Sequence, residues 1–296
     1  MWSRYQKWLY LVVLALIWGS SFILIKKSLI GLTPVQLGAM RIILSGGFIL
    51  IVGFKTLKSI QKEAWKWLII SGFLGTFFPS FLFAFAETEI DSAIASILNS
   101  LVPLDTLLLG ATIFGIVSTK RQVLGVILGF IGTAFLIGEG MNLNPEQNYW
   151  YAGLVIIATL MYASNVNIIK KYLQEVPPLA IASSNFIAII LPAFIILLAS
   201  GFFTTETLCN PELKMSMLYI TILSLFGTAI AKVLFNKLVQ IATPVFASSV
   251  TYVMPVIAVI WGLLDGEGFS LNQAFATIFI LIGVYLSQKR TKKTLI

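Results

Sequence analysis

The sequence predicts an all-α integral membrane protein with ten transmembrane helices, arranged as two inverted repeats of five. Three observations lead to this fold class. Of the 296 residues, 58% are hydrophobic and only 11% are charged, whereas a soluble domain has about 25% charged residues. Ten apolar segments have the length, about 20 residues, that spans a bilayer as a helix. The second half of the chain also repeats the pattern of the first half.

The ten apolar segments are joined by short connections, which leave no room for a soluble domain. Backbone polar groups in hydrocarbon must be satisfied within their own segment, so each segment is predicted to be a helix. The predicted spans 1 to 10 cover residues 8–27, 35–54, 66–86, 92–115, 121–138, 149–169, 178–199, 214–237, 243–264 and 270–288.

The charged residues behind the net charge of +8 are distributed according to the predicted topology, so this charge does not indicate a nucleic-acid partner. Most of the 20 Lys and Arg residues fall on the side of the two termini, including a basic tail after Gln288. Most of the 12 acidic residues fall on the other side. The positive-inside rule therefore places both termini in the cytoplasm, as expected for a multi-pass protein of a bacterial-type inner membrane.

The composition excludes several kinds of active site. The chain has no histidine and a single cysteine, Cys209. Histidine-based metal sites, histidine-based nucleophilic catalysis and an internal disulfide are thus excluded. The sequence contains no Walker loop and no nucleophile elbow. We therefore expect no enzyme activity and no cofactor.

The sequence matches itself at two offsets. An offset of 144 residues pairs Trp18 with Tyr162, Lys26 with Lys170 and Pro34 with Pro178. An offset of 152 residues pairs Gly75 with Gly227, Thr76 with Thr228, Asn99 with Thr251 and Pro103 with Pro255. These matches predict two five-helix units, residues 1–140 and 149–290. Because five is odd, the two units enter the membrane from opposite sides, as inverted repeats do in many secondary transporters.

Two prolines, Pro103 and Pro255, lie in the interiors of spans 4 and 9. Each removes a backbone hydrogen bond, which is tolerated where the helix faces protein or a wet cavity, and we expect both to act as hinges there. Polar residues at helical spacing, including Asn99 and Thr251, lie on the same spans. Spans 1 and 6 add an aromatic and a polar residue three apart, Trp18 with Ser21 and Tyr162 with Asn165. These faces either line a central cavity or pack between helices.

Three ionisable residues, Arg41, Asp105 and Lys232, lie in the interiors of predicted spans, away from the span ends. A charge at the bilayer centre costs about 2.5–3.5 kcal/mol on insertion scales, so each needs a compensating interaction. Arg41 is expected near the outer face in a structural role. For Asp105 and Lys232 three interpretations stay open: a structural ion pair, capture of charged groups of a substrate, and coupling of Asp105 to a proton. In all three, protein or water surrounds Asp105.

With these residues in view, the chain resembles the drug/metabolite transporter superfamily, specifically its EamA-type members with ten spans. The resemblance covers nearly the whole chain. It is carried by "LALIWGSSFILIKKSL", "TPVQLGAMR", "SAIASILNSLVP", "ASSVTYVMP" and "GEGFSLNQAFATIFILIGVYLS". It implies a carrier of small metabolites, often an exporter of amino acids or related compounds, with a central site formed by spans 1, 3, 4, 6, 8 and 9.

The resemblance also suggests aromatic residues for the site and shows two departures. Phe77, Phe81 and Tyr252 would join Trp18 and Tyr162 in offering apolar and cation–π surface to a substrate. Similar proteins usually have a glutamate at the end of span 4, where this chain has Ile116, whereas Glu267 fits the matching position after span 9. An acid at position 105 is not expected from the family, so no role is carried over to it.

The sequence thus predicts a secondary transporter of small organic metabolites, such as an amino acid exporter, that works by alternating access. A uniporter or facilitator for the same solutes and, more remotely, a membrane-embedded transferase are the alternatives. The expected partners are a small-molecule substrate, the lipid bilayer and, under one interpretation, a coupling proton; no nucleic acid and no oligomeric state are predicted. The candidate substrate-binding residues are Trp18, Ser21, Phe77, Phe81, Asn99, Asp105, Tyr162, Asn165, Lys232, Thr251 and Tyr252.

Overall fold

The computed structural model describes residues 2–113, 120–143 and 146–288, and a helix lies at each of the ten predicted spans. Eight of the described helices are long and apolar enough to cross a membrane. They are α1 Tyr5–Ser28, α2 Pro34–Ser59, α3 Lys62–Ala86, α4 Ser92–Thr112, α6 Tyr149–Tyr172, α7 Pro178–Ala199, α8 Leu213–Ile241 and α9 Pro244–Leu264.

Two further long helices complete the bundle. These are α5, Lys120–Leu143, and α10, Leu271–Gln288, whose apolar windows are shorter, Ile127–Glu139 and Leu271–Gly283. The described residues therefore confirm an all-helical fold of the membrane type, without strands among them. Ten membrane crossings and the inverted repeat stay predictions. The basic tail and Ile116 lie outside the described residues.

Local sequence sets where helices begin. At the start of α2, the Thr33 hydroxyl accepts a hydrogen bond from the Gln36 backbone N–H, and the Gln36 side chain accepts one from the Thr33 N–H. Pro34 follows the cap, at a position where a backbone N–H would have no acceptor within the helix. The absence of an N–H on proline therefore costs no hydrogen bond there. The Thr243 hydroxyl caps α9 in a similar way, again followed by a proline. A short helix, Thr205–Leu208, lies between α7 and α8.

Helices α4 and α9 are both interrupted near their prolines. Helix α4 consists of the pieces Ser92–Asn99 and Val102–Thr112, and Pro103 is the second residue of the second piece. The last piece of α9, Met254–Leu264, follows a 3-10 turn and has Pro255 as its second residue. The predicted disruption of both helices is therefore present, and it lies at matching positions of the two halves.

Helices α3 and α8 each contain a π-helical segment, Phe73–Phe77 and Leu223–Ile230. The offset of 152 residues maps the first segment onto residues 225–229, which lie inside the second. A π-helical turn holds one residue more than an α-turn, and such segments are frequent at functional sites. The two segments bring Gly75-Thr76 and Gly227-Thr228 to the middle of the bundle.

Small residues allow the closest helix contacts. Helix α2 packs along α7, and α5 packs along α10. On α10, a Cβ added to Gly283 would lie 2.5 Å from the Gly129 nitrogen and 2.6 Å from the Gly125 carbonyl oxygen of α5. Such backbone contacts replace the hydrophobic driving force that is missing between helices in lipid. The outer faces carry exposed large apolar side chains, such as Ile51 and Leu191, which suit a lipid environment.

Replacing Gly283 with alanine is expected to destabilise the protein by about 1–3 kcal/mol, because the added methyl group meets backbone atoms of α5 that cannot rotate away. Thermal unfolding of the purified protein in detergent, followed by helical circular dichroism, measures the effect. Gly138→Ala on α5 is the control, since nothing lies within 4 Å of its added Cβ. Equal midpoints for the two variants would contradict the close packing of α5 and α10.

Candidate functional site

A cavity of about 110 Å³ lies in the middle of the bundle. Its wall is formed by the six spans expected for a central site, α1, α3, α4, α6, α8 and α9, together with α2. The wall combines aromatic rings, hydroxyls, amides and two cationic side chains. No Asp or Glu occurs among its described lining residues.

Most of the lining follows the two sequence offsets. In nine pairs of residues related by 144 or 152 positions, both members line the cavity. The pairs are Trp18 and Tyr162, Ser21 and Asn165, Phe22 and Val166, Gly75 and Gly227, Thr76 and Thr228, Ser80 and Lys232, Phe83 and Phe235, Asn99 and Thr251, and Val102 and Met254. The two halves of the chain thus supply matching positions to one cavity wall.

Equivalent close approaches hold this wall together. A Cβ added to Gly227 on α8 would lie 2.6 Å from the Ser21 oxygen on α1, and one added to Gly75 on α3 would lie 2.4 Å from the Asn165 nitrogen on α6. The indole N–H of Trp18 donates to the Gly227 carbonyl at 2.8 Å. Both glycines therefore let a polar helix face reach a π-helical segment.

Seven of the predicted substrate-binding residues line this cavity, and four do not. The seven are Trp18, Ser21, Asn99, Tyr162, Asn165, Lys232 and Thr251. Phe77 is buried in a separate apolar cluster that Phe81 packs against, and the Phe81 ring also covers Gly38 on α2. Tyr252 packs against the main core. Substrate binding by any of these residues stays a prediction.

Asp105 lies outside the cavity wall. Its side chain is buried beside the Thr159 hydroxyl, and its Oδ2 atom has no hydrogen-bond partner among the described residues. Protein therefore surrounds Asp105, as the sequence predicted. The predicted alternative of an ion pair with Lys232 is not found, because the ion pairs of the described residues all involve Lys26 or Lys27.

Lys232 extends from α8 across the cavity to α3. Its Nζ donates to the Thr76 hydroxyl at 3.0 Å and to the Gly75 carbonyl at 3.3 Å. Only 6% of the residue is exposed. The π-helical segment of α3 thus provides the acceptors that hold this ammonium in the cavity wall.

Arg41 is a lining residue that the sequence analysis did not include among the site residues. Its Nε donates to the Thr228 hydroxyl at 2.8 Å, and the residue is 9% exposed. The structure thus adds Arg41 to the cavity wall, and its predicted structural role near the outer face stays a prediction. An ionisable residue within a span is a functional candidate by default, and that signal was present in the sequence.

An ion cluster closes the bundle at the end of α1 that carries Lys26, which we call the Lys26 end. Lys26 Nζ lies 2.8 Å from Glu267 and 3.2 Å from Asp265, and Lys27 pairs with Asp265. Glu267 also accepts hydrogen bonds from the backbone N–H groups of Ser92 and Ala93 at 3.2 Å each. A carboxylate after α9 thus caps the positive N-terminus of α4.

A glycine turn places this carboxylate. Gly266 has a φ of +86°, its N–H bonds the Leu263 carbonyl, and the Glu267 N–H bonds the Gly262 carbonyl at 2.8 Å. This is the Schellman arrangement that ends a helix. It turns Glu267 back over Gly262, where an added Cβ would lie 2.4 Å from the Glu267 carboxylate.

Glu87 is buried next to this cluster, in the turn between α3 and α4. Burial, followed by the charge of Glu267, raises the pKa of Glu87 well above its usual value of 4.5, although Ser92, Arg41 and Lys26 act in the opposite direction. One carboxyl oxygen has no hydrogen-bond partner among the described residues. The structure therefore favours the protonated form of this side chain.

Comparison with known proteins adds a family and a fold. The sequence model of the EamA-like transporter family matches residues 6–138 and 149–288. A solved crystal structure of a protein is similar over 95% of both chains with a TM-score of 0.66, and its identity of 19% supports a likeness of fold alone.

Curated relatives cover most of the chain. The uncharacterized inner membrane transporter YedA of Escherichia coli K12 is 27% identical, over 93% of this chain and 90% of its own length. The S-adenosylmethionine/S-adenosylhomocysteine transporter of Chlamydia muridarum is 24% identical, over 92% and 88%. The protein PecM of Dickeya dadantii is 25% identical, over 92% and 89%.

The raised pKa of Glu87 predicts a pH dependence of stability. The folded state holds a proton on Glu87 more tightly than the unfolded state, so stability falls as the pH rises from about 4.5 towards the raised pKa. Glu87→Gln is uncharged at every pH. It is expected to unfold at a higher temperature than the wild type at pH 8, with a smaller difference at pH 5.

Melting curves of the purified protein between pH 5 and pH 8 test this prediction. Glu89→Gln is the matched control, because this residue lies in the same turn without being buried. A wild-type curve that stays parallel to the Glu87→Gln curve over the whole pH range would show that Glu87 does not gain a proton on folding.

Proposed function

Because the chain belongs to the EamA-like transporter family, we propose that it is a secondary transporter that moves small organic metabolites across the inner membrane by alternating access. The substrate is an amino acid or a related compound, and the direction is export. The two halves act as inverted five-helix repeats, residues 1–140 and 149–290. No chemical step and no cofactor are part of the proposal.

The central cavity carries this proposal. Nine related pairs of residues from the two halves line it. Sites at the interface of two repeats near mid-membrane are typical of secondary transporters. The interruptions of α4 and α9 lie at this cavity, with Asn99 and Thr251 as lining residues four positions before Pro103 and Pro255. Each proline leaves the carbonyl four residues earlier without its helical N–H donor.

The closed Lys26 end supports alternating access. Ion pairs and capping bonds there join α1, α4 and the turn after α9. At the opposite end of the bundle, the matching Lys170 on α6 donates to the carbonyl oxygens of Val239, Gln240 and Ala242 at 2.8–3.3 Å, and it forms no ion pair among the described residues. The two ends of the bundle are thus held together by different interactions. One end can therefore open while the other stays closed, as alternating access requires.

Transport by the purified protein in liposomes tests the proposal. We expect uptake of a labelled amino-acid mixture above the level of empty liposomes, and a rate that changes when a pH difference or a voltage is imposed. Thr251→Trp fills the cavity and is expected to reduce uptake to the level of empty liposomes. Ile51→Trp is the control, because this side chain is 84% exposed on the outer face.

The outcomes separate the alternatives. Uptake that follows only the solute gradient, without response to pH or voltage, would indicate a uniporter or facilitator. A Thr251→Trp variant that folds and transports like the wild type would contradict a route through the central cavity.

Both termini are expected on the cytoplasmic side, because most basic residues lie on that side of the predicted topology. A reporter that is active only in the cytoplasm, fused to each end of the full chain in separate strains, measures this. Activity at one end alone would contradict an even number of crossings and with it the inverted repeat.

A further inference from the structure

Arg41 and Lys232 place two basic side chains in one cavity wall. Both residues are more than nine-tenths buried, and the described lining contains no carboxylate. A buried charge is costly unless it is paired, and breaking such a pair leaves an uncompensated charge. The cavity wall therefore holds basic groups without an acidic partner, and an anion entering the cavity would supply one.

The protein partners of these two cations are neutral. Within the part of the chain that the structure describes, Arg41 donates one hydrogen bond, from Nε to Thr228, and Lys232 donates two, to Thr76 and Gly75. An arginine has five N–H donors and a lysine three, so donors are left over on both side chains. Glu87, whose protonated form the fold favours, forms no ion pair with Arg41 among the described residues.

The two basic side chains line the same small cavity, which has a volume of about 110 Å³. Arg41 bonds Thr228, which lies four residues before Lys232 on α8. A single ligand in a cavity of this size would lie beside both side chains. The planar fork of the guanidinium suits a carboxylate or phosphate, and the ammonium adds a point charge beside it.

The matching positions of the other half show that the scaffold does not need these charges. The offset of 152 pairs Lys232 with Ser80, which bonds the Thr76 carbonyl of its own helix. The offset of 144 pairs Arg41 with Asn185, which bonds the Leu68 carbonyl at 2.6 Å. Neutral residues fill both equivalent places, so the cations break an otherwise matched pattern inside the cavity.

We infer that Arg41 and Lys232 form the subsite for the acidic group of the substrate, which is a small organic solute carrying a carboxylate or a phosphate. The inference rests on the proposed transport function and narrows its substrate class. Cationic solutes without an acidic group are excluded by the like charges. The apolar part of the solute lies against the rings of Trp18 and Tyr162, and the Oδ1 atom of Asn99, which has no hydrogen-bond partner among the described residues, accepts a bond from a donor group.

Binding of simple probes to the full-length protein in detergent tests the subsite. The probes are benzoate, inorganic phosphate and benzylamine, each at an ionic strength matched with sodium chloride. Benzoate and benzylamine share an aromatic body and differ in charge. We expect benzoate to raise the melting temperature by about 3 °C near saturation and benzylamine to leave it unchanged. A shift with phosphate as well extends the substrate class to phosphate esters, whereas a shift with benzoate alone restricts it to carboxylates.

Variants locate the binding. Lys232→Met and Arg41→Gln are expected to lose the benzoate shift, and Lys232→Arg, which keeps the charge, to retain part of it. Lys214→Met is the matched control, an exposed lysine on the same helix, and should keep the full shift. If Arg41→Gln fails to fold, the two Lys232 variants are sufficient for the test. A lysine with only a structural role would not make the benzoate effect on the melting temperature depend on the charge at position 232.

The inference is overturned if neither benzoate nor phosphate raises the melting temperature. It is also overturned if benzylamine raises the melting temperature as much as benzoate does, or if the Lys232→Met variant keeps the full benzoate effect. These results leave the proposed function standing if the wild type transports amino acids in liposomes. Conversely, a benzoate shift that depends on Lys232, without transport of any solute, supports the anion subsite as a binding site and contradicts the proposed function.

Discussion

Proline removes one backbone hydrogen bond in the middle of α4 and one in the middle of α9, and the central cavity depends on where these interruptions lie. In hydrocarbon, an unpaired backbone carbonyl is tolerated only against protein or water. The carbonyls four residues before Pro103 and Pro255 belong to Asn99 and Thr251, which both line the cavity. The polar interior of the bundle is therefore tied to two helix breaks that the sequence itself marks.

The π-helical segments add a second constraint. They bring Gly75 and Gly227 against α6 and α1, where no side chain larger than hydrogen fits without a shift of the neighbouring polar groups. They also place Thr76 and Thr228 as acceptors for Lys232 and Arg41. The hydroxyls thereby orient both basic side chains through neutral partners.

Much of this arrangement could be predicted from the sequence, because prolines, spans and offsets are local or repetitive signals. The residues missed are those whose place depends on helix rotation. In α3, the family resemblance suggested Phe77 and Phe81, whereas the neighbouring Thr76 and Ser80 line the cavity. The π-helical turn carries an extra residue and shifts which face looks inward, and a regular period of 3.6 residues cannot anticipate it.

Long side chains were the other reason why the predicted cavity lining differs from the observed one. Arg41 starts on α2, a helix not expected at the site, and reaches the cavity through its length. Asp105 shows the opposite case: its charge suggested a ligand, but its direction on α4 turns it to Thr159 and away from the cavity. The depth of a residue in a span is readable from sequence, whereas the direction of its side chain depends on how neighbouring helices pack.

The carboxylate of Glu267 serves two partners at once, Lys26 on α1 and the first N–H groups of α4. A movement that takes the turn after α9 away from both helices removes the neutralising charge from both partners. The lysine and the exposed helix end then repel each other, since both are positive. The contacts of the turn after α9 with α1 and with α4 therefore depend on one shared carboxylate.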